Sequence, residues 1–186
     1  MVLRRDVNRA IDEVLHRVIP SVMTDWRSWK AQYPRTDVLD MSRTTEAFVT
    51  DLQKEPGAYT LGFRMDGEIV DFPFDVLKTQ YVINARTEKT PYLVTFDVDS
   101  ATPRVFARAV SGKTLTFSLK QASLQGRHLI DSETNSIWNP VTGECTSGEL
   151  NGKQLKMLAC TPSFIRAWKS FYPKSATYSL DSSDKE

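Results

Sequence analysis

The stretch L-G-F-R-M-D-G-E-I-V-D-F sets Asp66-Gly67 between two runs whose apolar residues recur with a period of two. Asp-Gly suits the tight turn of a hairpin because both turn positions need a positive φ, so an antiparallel sheet begins here. Further strand-like runs follow at Tyr81 to Asn84, Pro91 to Phe96, Arg104 to Val110, Thr114 to Leu119 and Arg127 to Ile130. Turn residues at Glu88 to Thr90, Ser111-Gly112 and Gln125-Gly126 separate them. Leu115, Phe117 and Leu119 alternate with Thr114, Thr116 and Ser118, which gives one dry face and one wet face. G-E-L-N-G-K-Q-L repeats the hairpin pattern at Asn151-Gly152. At least eight strands in about 100 residues predict an α+β domain, mainly antiparallel β, built as a sandwich or partly closed barrel.

Helices flank this region. Val7, Ile11, Val14, Leu15, Val18 and Ile19 recur at helical spacing up to Pro20. A second helix is expected from a Thr24 cap through Trp26 and Trp29 to Pro34. Residues 41–57 carry no clear period, with a turn of helix around Glu46 to Leu52 before the break at Pro56-Gly57. Pro73 stops a strand, and Phe74, Val76 and Leu77 form one helical turn. Thr161 as cap and Pro162 at the first helical position predict a closing helix with Phe164, Ile165, Trp168 and Phe171 on one side, ended by Pro173. The chain thus divides into a helical segment over 1–57 packed on the core, a β-rich domain over 58–180 and a frayed tail over 181–186. W-K-A-Q-Y-P-R-T at Trp29 to Thr36 is echoed by W-K-S-F-Y-P-K-S at Trp168 to Ser175, too short for a solenoid repeat and read as two similar helix ends.

Charge bounds the function. Lys plus Arg number 24 against 23 Asp plus Glu, which gives no basic field for a nucleic-acid backbone or an anionic membrane. No apolar run reaches the roughly 18 residues of a membrane span. Asp6, Asp12 and Glu13 interrupt what would be a signal or organelle presequence, so cytoplasm is the expected compartment. Cys145 and Cys160 match no common metal spacing and read as reduced, partly buried thiols, with a disulfide as the alternative. His16 and His128 are the only histidines, so no metal site is expected from them. No glycine-rich phosphate loop occurs, and no serine or cysteine shows the setting of an activated nucleophile.

From Gly62 to Pro173 the features G-F-R-M-D-G-E-I-V-D-F-P-F-D-V-L, V-T-F, V-F-A-R, G-K-T-L-T-F, L-I-D-S-E-T-N-S-I-W-N-P-V-T-G, G-E-L-N-G-K-Q-L and A-W-K-S-F-Y-P occur in one order. Together they resemble domain-of-unknown-function family 3179, recognised by a Cys-Pro-x-Cys loop. The resemblance places the family's loop cysteines on Asp97 and Ser100, and a frequent histidine near Gln80. Thiolates and imidazole are transition-metal ligands, so a family metal, if held there, would not be bound in the same way by this chain. The family carries no settled activity to transfer.

The loop D-V-D-S-A-T-P holds what chemistry remains. Asp97 and Asp99 at i and i+2 can point the same way from an extended strand, roughly 7 Å apart, and one can serve as general acid or base if water is excluded. The alternatives are a solvated turn whose carboxylates bond the backbone, or a hard-cation site short of oxygen ligands. Arg104, Phe106 and Arg108 share one face of the next strand, opposite Val105, Ala107 and Ala109, which belong against the core. They suit an anion and a planar ring, or else an outward face whose stems cover a neighbour. Gln80, Asn84 and Trp138 complete the expected substrate-binding set, Trp138 being either a pocket wall or a core residue in a hairpin loop.

Two functions from different classes fit. One is a cofactor-independent small-molecule enzyme of lyase, isomerase or cyclase type, with carboxylate acid/base chemistry in a β-domain pocket. The other is a non-catalytic ligand-binding or assembly protein on a scaffold that has lost a metal site, its tryptophan-rich helices offering a partner surface. A homo-oligomer is compatible with either.

Overall fold

In the computed structural model the described residues are 20–37, 55–120 and 128–180. The helix expected before Pro20, the helical turn at Glu46 to Leu52, the turn at Gln125-Gly126 and the 181–186 tail lie outside them. In chain order the strands are β1 (Tyr59–Met65), β2 (Glu68–Pro73), β3 (Val82–Arg86), β4 (Pro91–Asp97), β5 (Thr102–Ala107), β6 (Ala109–Val110) and β7 (Lys113–Thr114). They continue with β8 (Phe117–Lys120), β9 (His128–Asp131), β10 (Ile137–Trp138), β11 (Cys145–Ser147), β12 (Cys160–Phe164) and β13 (Ala176–Thr177). The helices are α1 (Trp26–Gln32), α2 (Phe74–Thr79) and α3 (Ile165–Phe171).

Asp66 and Gly67 take φ of 55° and 87°, and β1 turns straight into antiparallel β2 as the sequence predicts. Ser111 and Gly112 do the same between β6 and β7. Asn151-Gly152 differs: only Gly152 has a positive φ, and the chain returns through Cys145 N–H to Lys153 O (2.8 Å) with no full ladder.

The strands form three main sheets, ordered β12-β1-β2-β13, β3-β4-β5 and β11-β10-β9-β8. All pairs are antiparallel except β13 with β2. The fold is therefore α+β, sandwich-like and mostly antiparallel, and among the described residues no sheet closes into a barrel.

The middle sheet is covered on both faces. Ile83, Val94 and Val105 join the first sheet's Leu61, Phe63 and Phe72 in one core. Leu93 and Phe106, on the other face, join Phe117, Leu129 and Trp138 in a second. This removes the outward face, one of the two readings of Arg104, Phe106 and Arg108, which are 4%, 1% and 9% exposed. Alternation identifies which side chains share a face, but a second sheet covers this one.

Opposite edges of the middle sheet are stitched to its neighbours. At β5, Leu158 N–H donates to Val105 O (2.8 Å) and Ala107 N–H to Lys156 O (2.9 Å), leading into β12. At β3, Asn84 Nδ2 donates to Phe117 O (2.7 Å) while Phe117 N–H donates to Asn84 Oδ1 (2.9 Å). One side chain thereby stands in for a strand pairing between β3 and β8.

Two helix starts differ from expectation. Asp25, one residue after Thr24, caps α1 by accepting from Ser28 N–H at 2.9 Å. Thr161 and Pro162 lie in β12, where Pro162 faces Leu61, and α3 begins at Ile165 without a side-chain cap. β12 is an edge strand, which tolerates the missing proline N–H. Of the four apolar residues expected on the packed side of α3, only Trp168 is buried, and Phe171 is 81% exposed.

The Trp-Lys-x-x-Tyr-Pro echo is a duplicated structural unit. Trp29 Nε1 donates to Thr36 Oγ1 at 3.0 Å, and Trp168 Nε1 to Ser175 Oγ at 3.1 Å. Tyr33 and Tyr172 close their helices with N–H bonds of 2.8 Å to Trp29 O and Trp168 O, and each ring packs on its tryptophan at 4.4 and 4.5 Å. Among the described residues only the second copy is anchored by a carboxylate: Lys169 Nζ lies 2.7 Å from buried Asp71, which also accepts from Ser175 Oγ at 2.8 Å. Lys30 instead lies over the Trp26 ring, 5.7 Å from its centroid.

Candidate functional site

Along the second face of the middle sheet, side chains from β4 and β5 run past the end of the core. Leu93 pairs with Phe106, Thr95 with Arg104, and Asp97 with Thr102, so these residues share one face in that order. Thr95 Oγ1 donates to Pro140 O (2.9 Å), fixing the Asn139 to Val141 turn above the strands. Asn139 Oδ1 in turn accepts from Val141 N–H at 2.8 Å. The space left is a cleft of about 270 Å³ into which Asp97, Asp99, Thr102, Arg104, His128 and Asn139 project, with Val82, Phe96, Leu119 and Pro140 among its apolar walls.

The β4–β5 turn shapes the acidic end. Ala101 sits in the left-handed region at φ 50°, a conformation that costs a residue with a Cβ about 1 kcal/mol. Ser100 Oγ donates to Asp97 Oδ2 at 2.5 Å, and its oxygen lies 2.6 Å from Thr102 Oγ1. Thr102 Oγ1 donates to Thr24 Oγ1 (2.7 Å), bringing the segment before α1 into the row of hydroxyls. Asp97 Oδ1 also accepts from Asp99 N–H at 3.4 Å, while the Asp99 side chain is exposed at the rim.

Arg104 supplies the opposite charge. It is buried, and among the described residues the one hydrogen bond of its side chain runs from Nη2 to Gln32 Oε1 at 3.4 Å, with no ion pair. Burial pulls its pKa below the ordinary guanidinium range, partly offset by Tyr33, Asp97 and Cys160. An arginine stays charged at neutral pH even so. His128, which lines the same cleft, has a buried Nδ1 with no hydrogen-bond partner among the described residues.

Of the residues expected at a site, Asp97, Asp99 and Arg104 come together here. Phe106 is in the second core, and Trp138 is buried beside it with Nε1 donating to Asp131 Oδ2 at 2.8 Å. Asn84 and Arg108 hold sheets together: Arg108 Nη1 donates to Leu115 O at 3.1 Å and Nη2 to Ala85 O at 3.3 Å. Gln80 accepts from Tyr178 OH at 3.0 Å, apart from the cleft lining. Thr102 and His128 were not expected there. Thr102 was legible, being two residues before Arg104 on one strand, whereas His128 carries no signal because the register of β9 against β8 brings it in.

Asp97 and Ser100 form a hydroxyl–carboxylate pair. Among the described residues no three His, Cys, Asp or Glu gather as metal ligands. Both cysteines are free and buried.

Fold and cleft together define a sandwich-like α+β domain with a carboxylate and a buried guanidinium at one end of its middle sheet. Residues 47–185 match the protein family of unknown function DUF3179, and the chain belongs to that family. No curated protein and no solved structure matches it.

Proposed function

We propose that this protein is a cofactor-independent small-molecule enzyme, of lyase, isomerase or cyclase type, acting in the cleft between the middle sheet and the Asn139 to Val141 turn. The observation that carries this is Arg104: a buried guanidinium that has no ion pair among the described residues and faces the same small space as Asp97. Retaining such a group is costly unless an anion meets it, and a substrate carboxylate or phosphate would do so. Asp97 is the proton-moving group in this reading. Its carboxylate is held in position by Ser100 and keeps lone pairs for a substrate proton. Two free thiols accord with a reducing compartment such as the cytoplasm. No helix among the described residues is long and apolar enough to cross a membrane.

Native mass spectrometry of the purified full chain, with metal analysis of the same sample, tests for a retained small molecule. Once one is found, Asp97→Asn should abolish turnover while leaving the thermal midpoint nearly unchanged. Unchanged turnover removes Asp97 from the chemistry. A second reading, a non-catalytic assembly protein, is favoured by the exposed Trp26, Phe164 and Phe171. It predicts concentration-dependent association and no small molecule in the cleft.

A further inference from the structure

We propose that the ligand is a small monocarboxylate carrying a hydrogen-bond donor at its other end, and that the cleft discriminates against dicarboxylates and inorganic phosphate. This rests on the cleft being the functional site, and it follows from how charge is distributed along it.

The inner end holds one positive group. A guanidinium offers five N–H donors in a planar fork, and Arg104 uses one of them, at 3.4 Å, on the neutral carboxamide of Gln32. A carboxylate matches two parallel donors of that fork, and one carboxylate neutralises one guanidinium. Among the described residues no lysine and no second arginine lines the cleft.

The outer end is built from acceptors. Asp97 and Asp99 both face the cleft, and an ionised carboxylate only accepts. A second anionic group on the ligand would lie against the half-buried Asp97 charge, where repulsion is stronger than in water. A hydroxyl on the ligand would instead donate to Asp97. The volume of about 270 Å³ lies just below the usual range for ligand pockets and suits an acid of a few carbons. Apolar walls at Val82, Phe96, Leu119 and Pro140 cover its skeleton.

Titration of the full chain with 3-hydroxypropionate, propionate, malonate and inorganic phosphate, followed by NMR shifts or calorimetry, tests the class. The hydroxy acid should bind most tightly. Propionate, which has the same charge and no hydroxyl, should bind about ten-fold more weakly, as should malonate and phosphate. Arg104→Gln should remove 3-hydroxypropionate binding, and Arg104→Lys should retain part of it. Asp97→Asn, which removes the outer charge, should narrow the gap between malonate and 3-hydroxypropionate. If malonate or phosphate binds as tightly as 3-hydroxypropionate and Arg104→Gln abolishes that binding, the class is wrong although the cleft is the site. If no probe binds, or 3-hydroxypropionate binds the folded Arg104→Gln protein as well as the parent, the class and the site both fall.

Discussion

Trp168 lies so close over β1 that Gly62 has no room for a methyl group: a Cβ there would come within 2.2 Å of the indole ring. The glycine is required by this approach, since it is not among the positive-φ residues. Gly62→Ala should therefore push Trp168 off its seat and cost about 1–3 kcal/mol. Urea unfolding of Gly62→Ala, Trp168→Ala and the double variant checks this. The double variant should lose clearly less than the sum of the singles, because removing the indole removes the clash.

The two Trp-Lys-x-x-Tyr-Pro units share internal geometry but differ in anchorage, so their lysines should differ in weight. Lys169→Ala takes the ammonium from a fully buried Asp71 that it meets at 2.7 Å, at a cost of about 2 kcal/mol. Lys30→Ala loses an exposed contact with a tryptophan ring and should stay within about 0.5 kcal/mol of the parent. Equal losses in paired denaturation curves would mean that the first unit has a carboxylate anchor of its own.

Asp25 gives α1 a pH dependence of known sign. The Ser28 hydroxyl (2.7 Å) lowers its pKa most, with the Ser28 amide adding to this and desolvation opposing it. A carboxyl whose folded pKa is depressed stabilises the native state fully above its unfolded value of about 3.9, and that stability disappears as pH falls through the folded value. Asp25→Ala should cost about 1 kcal/mol at pH 7, and the difference should close in acid below that window. Unfolding midpoints of both proteins between pH 7 and pH 2.5 measure it.

The thiols should be inert in the native protein. Burial pushes Cys160 up to about 11, opposed only in part by the Val105 backbone and the Arg104 charge, and burial also raises Cys145. Thiolate is the reactive form, so at pH 8 a thiol reagent should label neither cysteine until denaturant is added and then label both. Rapid labelling of Cys160 in the folded state would show that the region around Arg104 opens readily.

What the sequence makes legible is local. Asp66-Gly67 defines its hairpin because the two residues satisfy the turn by themselves, and the alternation from Thr114 to Leu119 reports one buried face directly. Pro162 misleads for the complementary reason: a proline after threonine suits a helix start, and only pairing with β1, about 100 residues earlier, shows it to be an edge-strand position. At the site, Asp97 and Arg104 are readable as chemistry on adjacent strands. The placement of the other wall is not, because the Asn139 to Val141 turn arrives through Thr95 and Pro140, a contact between residues 45 apart.

Asn84 and Asp97 separate a structural role from a proposed functional one. Both were expected at the site, yet Asn84 forms two hydrogen bonds to the Phe117 backbone and a third contact with Arg108 Nη1 at 3.4 Å. Asn84→Ala leaves a partly buried N–H and C=O without partners at the junction of two sheets, so it should cost about 2–3 kcal/mol. Ligand binding by the fraction that remains folded should be unaltered, since the cleft begins at Val82 and Thr95 and not at Asn84. Asp97→Asn should show the reverse pattern: the amide keeps a carbonyl for Ser100, so stability changes little, while proton transfer is lost. Measuring unfolding and ligand response on both variants distinguishes the two residues. If Asn84→Ala abolishes binding at full stability, the ligand reaches past Thr95 to the β3–β8 junction and the functional cleft is larger than drawn.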